Sequence, residues 1–266
     1  MKPQRLFGEK MDKFFGFGGA MGEPEGYLSW QHLTFVLSMN LLMIALAIFF
    51  GLKNRKKSDN EKNLPLIVAA IVIDGFEILK FVIECVNAGS FEPLLYDLPL
   101  FLCSIQLFAL PVAAFGKGRV REIGLDFVFV FGLLCSLMGT IGAGNDYGTY
   151  PVLYYHNVCS AITHCSSGFG CIYVGISGMK SMKKKNLWIE LLIFVLFSAL
   201  AYVTNVIIDY NYMFLVRSDG TPYELFYSLV NGNKVLYPML VVGTLLLYIL
   251  AFFGVEKLIC RSKKSQ

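Results

Sequence analysis

The stretch that decides the fold is WQHLTFVLSMNLLMIALAIFFG, residues 30–51, an apolar run that contains no acidic residue, lysine or arginine. A helix of about 20 apolar residues rises about 30 Å, which is the thickness of the hydrocarbon core of a bilayer. Six further predominantly apolar runs follow, near residues 64–88, 94–115, 123–141, 152–179, 187–208 and 235–255. The sequence therefore predicts an all-α, polytopic membrane bundle of seven transmembrane helices.

The composition supports a membrane protein with little chain left over for a soluble domain. Of the 266 residues, 56% are hydrophobic and 16% are charged, and the mean hydropathy is +0.59. We expect an interfacial or flexible N-terminal segment at 1–29, a seven-helix membrane domain at 30–256 and a basic cytoplasmic tail at 257–266. No cleavable signal peptide is predicted, because residues 1–29 mix charges with Phe and Gly and lack a compact apolar core.

The distribution of basic residues predicts the orientation in the membrane. Lysine and arginine concentrate in alternate loops, near residues 53–62, 117–121, 180–185 and 257–264, whereas residues 89–93 and 142–151 contain none. Under the positive-inside rule, this pattern predicts an outside N-terminus and a cytoplasmic C-terminus. The net charge of +4 is then a topology signal, and no nucleic-acid partner is predicted.

The seven cysteines do not have the spacing of a disulfide framework or of a metal site. Cys159, Cys165 and Cys171 repeat every six residues, so in a helix they point in different directions and do not converge on one ion. We expect thiols without disulfides, no metal and no cofactor.

Ionisable residues inside predicted spans are the first candidate functional groups, because they are costly when they face lipid. The second span carries Asp74, Glu77, Lys80 and Glu84 at spacings of three, three and four residues. Asp74 and Glu77 are candidate substrate-binding residues in an internal cavity. A stripe of self-neutralising pairs that joins helices is an equally good interpretation.

The fifth span places His164 among small residues on one helix side. Small residues at this spacing favour a close helix neighbour, so we expect His164 to be buried against protein. It is then either a hydrogen-bonded packing residue or a functional base.

Cys103 of the third span is predicted to lie at a similar depth in the membrane to these residues. If each run is a helix with the predicted orientation, the Cys103, His164, Asp74 and Glu77 positions lie within about 8 Å of one level along the membrane normal. A buried thiol needs a base to act as a nucleophile, and His164 is a candidate for that base. The other interpretation of Cys103 is a small buried apolar residue.

The same reasoning assigns supporting roles in an acyl transfer through a cysteine thioester. Glu77 or Asp74 would hold the imidazole in the productive tautomer. Gln106 and Asn205 are candidate donors to the oxyanion.

Three strings resemble a known family. They are LPLFLCSIQLF at 98–108, ITHCSSGF at 162–169 and TNVIIDYNYMFLVRS at 204–218, and they resemble the YwaF-like integral membrane proteins of bacteria, which are similar to the animal transmembrane protein 164 family. The resemblance covers roughly residues 28–256. The likeness to the animal family implies a lipid acyltransferase that moves a polyunsaturated acyl chain from one phospholipid to a lysophospholipid, with Cys103 and His164 as the catalytic pair. The likeness to the bacterial proteins implies a bacterial cell membrane as the location.

Two functions are consistent with these observations. In the first, an intramembrane acyltransferase or lipid hydrolase acts on phospholipids, and a loop that contains Asn211 and Arg217 covers the site, with Arg217 placed to meet a phosphate. In the second, a non-enzymatic transporter or solute-binding subunit uses the carboxylates and His164 as a pathway. Cys103 discriminates between the two, because a transporter should tolerate alanine there.

Overall fold

The computed structural model describes the backbone of residues 3–262 and the side chains of residues 8–260. Within those residues the chain is helical, without a β-strand. The helices are α1 (Pro3–Phe15), α2 (Trp30–Asn54), α3 (Asp59–Ala88), α4 (Pro93–Tyr96), α5 (Ile105–Phe115), α6 (Gly118–Thr140), α7 (Gly144–Thr149), α8 (Tyr155–Ser177), α9 (Lys184–Ile208), α10 (Glu224–Leu229) and α11 (Leu236–Ser262). The end of the predicted basic tail, residues 263–266, lies outside the described residues.

Four helical segments are long and apolar enough to span a membrane: Trp30–Asn54, Gly118–Thr149, Lys184–Ile208 and Leu236–Cys260. Helices α3 and α8 contain 30 and 23 residues, which corresponds to rises of about 45 and about 35 Å. Both helices match predicted spans in position and length. They also carry the polar residues that were noted in the second and fifth predicted spans. The count of seven spans and the orientation stay predictions.

The third predicted span, residues 94–115, is not one helix, so the prediction of a continuous helix there is wrong. Helix α4 ends at Tyr96, residues 97–104 form bends and turns, and α5 begins only at Ile105. The eleven residues of α5 rise about 16 Å, roughly half of the hydrocarbon core. The physical reason is Pro99, which lacks an N–H group and disfavours helical backbone at Leu98 before it.

The chain divides into two compact units. The first comprises the described residues up to Asp97 together with Gln106–Lys180, and the second comprises Leu98–Ile105 together with the described residues from Ser181. In the first unit, α8 packs against α6, α2 and α3. In the second unit, α9 packs against α11 and against the 3₁₀ turn Tyr212–Phe214.

Small residues allow α8 to lie close to another helix, as the sequence predicted, and that helix is α6. A methyl group added to Gly168 would lie 2.7 Å from the hydroxyl oxygen of Ser136 on α6, well inside van der Waals contact. The thiol of Cys171 on the same side donates to the carbonyl oxygen of Phe129, at 3.2 Å. The small-residue side of α8 therefore faces α6.

The N-terminal segment is helical over Pro3–Phe15 and is held against the first unit. The side-chain amide of Asn87, near the end of α3, donates to the carbonyl oxygen of Phe15 at 2.7 Å. The carboxylate of Glu25 accepts from the backbone N–H of Val152 at 2.7 Å. These two contacts fix the segment near the start of α8.

The other end of α3 begins with a capping box. The hydroxyl and the backbone N–H of Ser58 donate to the carboxylate of Glu61, at 2.8 and 3.2 Å. The Ser58 side chain also accepts from the backbone N–H of Glu61, which the first helical turn leaves without a partner in the helix. The two hydrogen bonds that Ser58 donates, together with Lys57, lower the pKa of the exposed Glu61 carboxyl, which precedes the predicted span.

Candidate functional site

The charged residues of α3 lie along its contact with α8 and are largely paired. The Nζ atom of Lys80 lies 2.9 Å from Oε1 of Glu77, and 11% and 17% of the two side chains are exposed. The same ammonium lies 5.1 Å from the centre of the Phe81 ring. This pair keeps two charges away from lipid. Asp74 is half-buried and lies near enough to Glu77 to interact with it electrostatically.

A second pair follows one turn further along α3. Oε1 of Glu84 lies 3.5 Å from Nε2 of His156 at the start of α8, and the His156 ring packs 4.7 Å from the ring of Tyr150. Oε2 of Glu84 is buried as well. The carboxyl of Asp97 lies within hydrogen-bonding reach of Glu84.

His164 is held in a fixed orientation in the first unit. Its ring packs against Gly139 of α6, where an added methyl group would overlap three ring atoms. The ring also hydrogen-bonds to the backbone carbonyl of Cys135 and interacts electrostatically with Glu77 and Lys80. In a neutral imidazole, an N–H that donates to a carbonyl leaves the other nitrogen as a proton acceptor. The first unit thus brings His164, Glu77 and Asp74 into one polar region.

Cys103 lies in the second unit, on the turn before α5. It is half-buried, whereas Cys135, Cys159, Cys165 and Cys171 are buried in helices. None of the seven cysteines, all of which lie among the described side chains, forms a disulfide in the structure.

The turn that carries Cys103 is supported by aromatic residues of the loop after α9. The ring of Phe101 packs against the rings of Tyr212 and Phe214, with centroids 5.1 and 6.1 Å apart. The backbone N–H of Leu98 donates to the Tyr212 hydroxyl at 3.1 Å. The loop therefore satisfies one of the backbone groups that the broken helix leaves open.

Two predicted binding residues hold this loop in shape. The amide of Asn205 donates to the carbonyl of Tyr212 at 2.9 Å and accepts from its N–H at 2.6 Å. The amide of Asn211 donates to Asp219 at 2.7 Å and accepts from the N–H groups of residues 216 and 217 at 3.0 and 3.1 Å. Both side chains thus contact protein in the structure.

The remaining two predicted residues differ in exposure. Arg217 in the second unit is 48% exposed and lies 3.8 and 3.6 Å from carboxylates of Asp209 and Asp219. Gln106 in the first unit is fully buried, and its amide nitrogen donates to the carbonyl of Phe127 at 3.1 Å. The carboxylates, His164 and Gln106 belong to the first unit, while Cys103, Asn205, Asn211 and Arg217 belong to the second. The pairing of Cys103 with His164 stays a prediction.

Sequence reasoning missed a buried polar network around His32 on α2. Nδ1 of His32 accepts from the backbone N–H of Leu28 at 3.1 Å, which leaves Nε2 to donate to the carbonyl of Thr140 at 3.3 Å. The amide of Asn40 donates to the Thr140 hydroxyl at 3.0 Å. His32 and Asn40 inside the first apolar run were the available signal. Their common partner is Thr140, which lies 108 residues after His32 in the sequence. Among the described residues, no three His, Cys, Asp or Glu side chains converge on a site for a metal ion.

Comparison with known proteins assigns the chain to a family. The model of the TMEM164 family matches residues 27–255, which include the Cys103 turn, the polar region of α3 and α8, and the loop after α9. No curated protein and no solved structure matches the chain. With four helices that are long and apolar enough to span a membrane and a family match over most of its length, the chain belongs to the TMEM164 family of membrane proteins.

Proposed function

We propose that this protein is an intramembrane enzyme that transfers fatty acyl chains between phospholipids through a thioester on Cys103, with His164 as the base. The observation that carries the proposal is the break in the third apolar segment. Cys103 is the half-buried cysteine on that break, while the four buried cysteines lie within helices.

A break of this kind is costly in an apolar segment. Backbone N–H and C=O groups outside a helix need partners, and at membrane depth such backbone occurs where protein or a water-filled cavity covers it. The break also places Cys103 two residues before α5, and N–H groups in the first turn of a helix have no partners within the helix. Such groups stabilise an anion, as an oxyanion formed next to Cys103 would require.

The reaction proceeds in two balanced steps. In the first, His164 takes the proton of the Cys103 thiol, the sulfur forms a bond to the ester carbonyl carbon, and the bond from that carbon to the alcohol oxygen breaks. The proton passes to this oxygen, which releases a lysophospholipid. In the second step, the hydroxyl of an acceptor lysophospholipid gives its proton to His164 and its oxygen forms a bond to the thioester carbon. The carbon–sulfur bond breaks, and the proton passes from His164 to the sulfur, which restores the thiol.

The geometry around His164 suits the role of the base. Its hydrogen bond to the Cys135 carbonyl leaves the other ring nitrogen to accept a proton. Glu77 and Asp74 would stabilise the imidazolium that forms.

The other predicted residues enter the proposal in supporting roles. Gln106 keeps one amide N–H beyond the one that Phe127 engages and would donate it to the oxyanion. Asn205 and Asn211 would position the loop that supports the Cys103 turn. Arg217 would exchange part of its contact with Asp209 and Asp219 for a lipid phosphate. In this proposal the partners of the protein are phospholipids, and its location is the cell membrane of a bacterium, as the sequence resemblance implies.

The test is acyl exchange by the purified protein between a phospholipid and a lysophospholipid with an isotope-labelled glycerol backbone, followed by mass spectrometry. Cys103→Ala and His164→Ala should each abolish exchange. Cys85→Ala is the matched control, because Cys85 is also half-buried but lies within α3, and it should retain exchange. A hydroxylamine-sensitive acyl group should appear on the parent and the Cys85→Ala protein and be missing from Cys103→Ala.

Retention of exchange by Cys103→Ala would remove the thioester mechanism. If, in addition, the parent protein exchanged no acyl chains and Glu77→Gln abolished the uptake of protons or solute into liposomes, the pathway function would replace the enzyme.

A further inference from the structure

Helix α10 in the second unit has one polar and one apolar face. The carboxylate of Glu224 accepts from the hydroxyls of Ser218 and Ser228, which ties the polar face to the preceding loop. Leu225 and Leu229 are four residues apart, so they lie on one face of the helix, and each is 72% exposed. The protein thus engages the polar face of α10, while the apolar face is exposed.

A hydrogen bond sets the depth of the segment that follows α10. The hydroxyl of Tyr202 on α9 donates to the carbonyl oxygen of Lys234 at 2.8 Å. Ile208, the last residue of α9, lies about 9 Å further along the helix axis than Tyr202, and the side chain of a helical residue leans toward the N-terminus of its helix. The chain at Lys234 is therefore set back from the end of α9 and lies beside its last two turns.

These last two turns lie at the edge of the hydrocarbon core or within it. Helix α9 is one of the helices that are long and apolar enough to span a membrane. Its 25 residues rise about 37 Å, compared with about 30 Å for the core, so a centred helix extends only about 4 Å beyond the core at each end. Val203, Val206 and Ile207 in these turns are exposed, as residues that face acyl chains are. The segment next to Lys234 therefore lies at the membrane interface or just inside it.

Helix α10 is joined to this segment. The ring of Tyr227 packs edge-on against the ring of Tyr237 in the first turn of α11, with centroids 5.1 Å apart, and the N–H of Gly232 donates to the carbonyl oxygen of Tyr227 at 2.9 Å. Val235 and Leu236, at the start of α11, are exposed like the leucines of α10. The apolar face of α10 therefore continues the exposed apolar surface of two helices that are long enough to span a membrane.

The residues around this face are typical of a membrane interface. Tyr202 and Tyr227 lie at this level, where tyrosine is enriched because its ring is apolar and its hydroxyl is polar. Lys234 is exposed, and a lysine side chain extends from this level to the headgroups. The acyl chains of the adjacent leaflet are therefore favoured over a second protein as the occupant of the face.

We propose that α10 lies in the membrane interface and inserts Leu225 and Leu229 among the acyl chains of the leaflet that surrounds the end of α9. Ser218, which donates to Glu224 of α10, directly follows Arg217, so this contact with lipid also sets the depth of Arg217 in the membrane. The inference goes beyond acyl transfer and does not depend on it, because insertion is measured without turnover.

The test is the quenching of a single tryptophan by lipids that carry bromine on their acyl chains. The full chain with Trp30→Phe and Trp188→Phe, which remove both native tryptophans, is placed in nanodiscs of phosphatidylglycerol. The bromine lies at a shallow acyl position in one lipid and at a deep position in the other. Leu225→Trp should lose about half of its emission to the shallow bromine and less to the deep one, because the apolar face of an interfacial helix is buried by only about 5–10 Å.

Two control variants in the same background calibrate the measurement. Ser228→Trp lies on the polar face of the same helix, beside Glu224, and should be quenched less than Leu225→Trp by both lipids. Leu196→Trp lies in the middle of α9, where the leucine is exposed, and should be quenched more by the deep bromine than by the shallow one. Melting temperatures identify variants that fail to fold, and Leu229→Trp, on the same face, replaces Leu225→Trp if that variant is one of them.

Other occupants of the face give different results with iodide, a quencher that stays in water. If water covers the face, iodide quenches Leu225→Trp and the brominated lipids do not. If a second protein covers it, neither quencher acts on Leu225→Trp. Each of these results overturns the proposal, and so does stronger quenching of Leu225→Trp by the deep bromine than by the shallow one.

Discussion

The contact between His164 and Gly139 predicts an outcome for a single added methyl group. In Gly139→Ala the new methyl would overlap Cε1, Nδ1 and Nε2 of the imidazole, so the ring must retreat by more than about 1 Å to reach a normal contact distance. Alanine favours α6 by about 1 kcal/mol over glycine, whereas overpacking a tight contact costs about 1–3 kcal/mol. The net change in the free energy of unfolding is therefore a loss of up to about 2 kcal/mol.

The matched control is Gly75→Ala on α3, where an added methyl meets no atom within 4 Å. Gly75→Ala should raise the free energy of unfolding by up to about 1 kcal/mol. The two variants should therefore differ by about 1–3 kcal/mol in stability. Thermal unfolding of the purified proteins in detergent measures this as a difference of several degrees in melting temperature. If His164 is the catalytic base, its displacement in Gly139→Ala should also lower acyl exchange about 100-fold, and Gly75→Ala should retain it.

A double variant separates the contact from a general effect of the substitution. In Gly139→Ala with His164→Ala the imidazole ring is gone, so the added methyl should no longer destabilise the folded protein. The effects of the two substitutions on the stability should therefore be non-additive. Equal melting temperatures for Gly139→Ala and Gly75→Ala, together with additive effects in the double variant, would refute the packing of His164 on Gly139.

Three further predictions concern other contacts. Tyr212→Phe removes the hydroxyl that accepts from the N–H of Leu98 and should lower the stability by about 1–3 kcal/mol, measured by thermal unfolding. Lys80→Met leaves the Glu77 carboxylate, whose side chain is 17% exposed, without its partner and should lower the stability by up to about 3 kcal/mol. Lys80→Met with Glu77→Leu should be much milder. The capping hydrogen bonds that lower the pKa of Glu61 stabilise α3 at neutral pH and are lost as the pH falls through the lowered value. NMR titration should therefore give a midpoint below that of an unstructured glutamate. Alanine at the N-cap, which removes the hydroxyl but keeps the backbone N–H, should raise the pKa of Glu61 toward the ordinary value.

The long helices were predictable because the burial of apolar residues in a bilayer depends on composition and length. Trp30–Asn54, Lys184–Ile208 and Leu236–Ser262 each lie within a few residues of a predicted span. The side of α8 that faces α6 was also predictable, since the small residues there repeat at helical spacing.

The break before α5 was not predicted, because mean hydropathy records which side chains are apolar and ignores backbone hydrogen bonds. Leu98 and Pro99 carried the missing signal, since a residue before proline disfavours helical backbone. The pairing of His32 with Thr140 could not be predicted from one sequence, because nothing local to either residue identifies the other. The same holds for the contact of Glu84 with His156, which lies on a different helix.

The break in the third apolar segment also explains why two sequence segments that are far apart in the chain contact each other. LPLFLCSIQLF contains the turn, and TNVIIDYNYMFLVRS contains the loop whose Tyr212 packs on Phe101 and accepts from the N–H of Leu98. Asn205 holds Tyr212 through two hydrogen bonds to its backbone, and Tyr237 donates to the carbonyl of Phe214 at 2.8 Å. Because each of these contacts supports the non-helical turn, the loop stabilises a conformation that Pro99 begins and that an apolar segment would not keep unaided. Changes in the loop should therefore act on Cys103 through the shape of its turn, even where the changed residue touches no substrate.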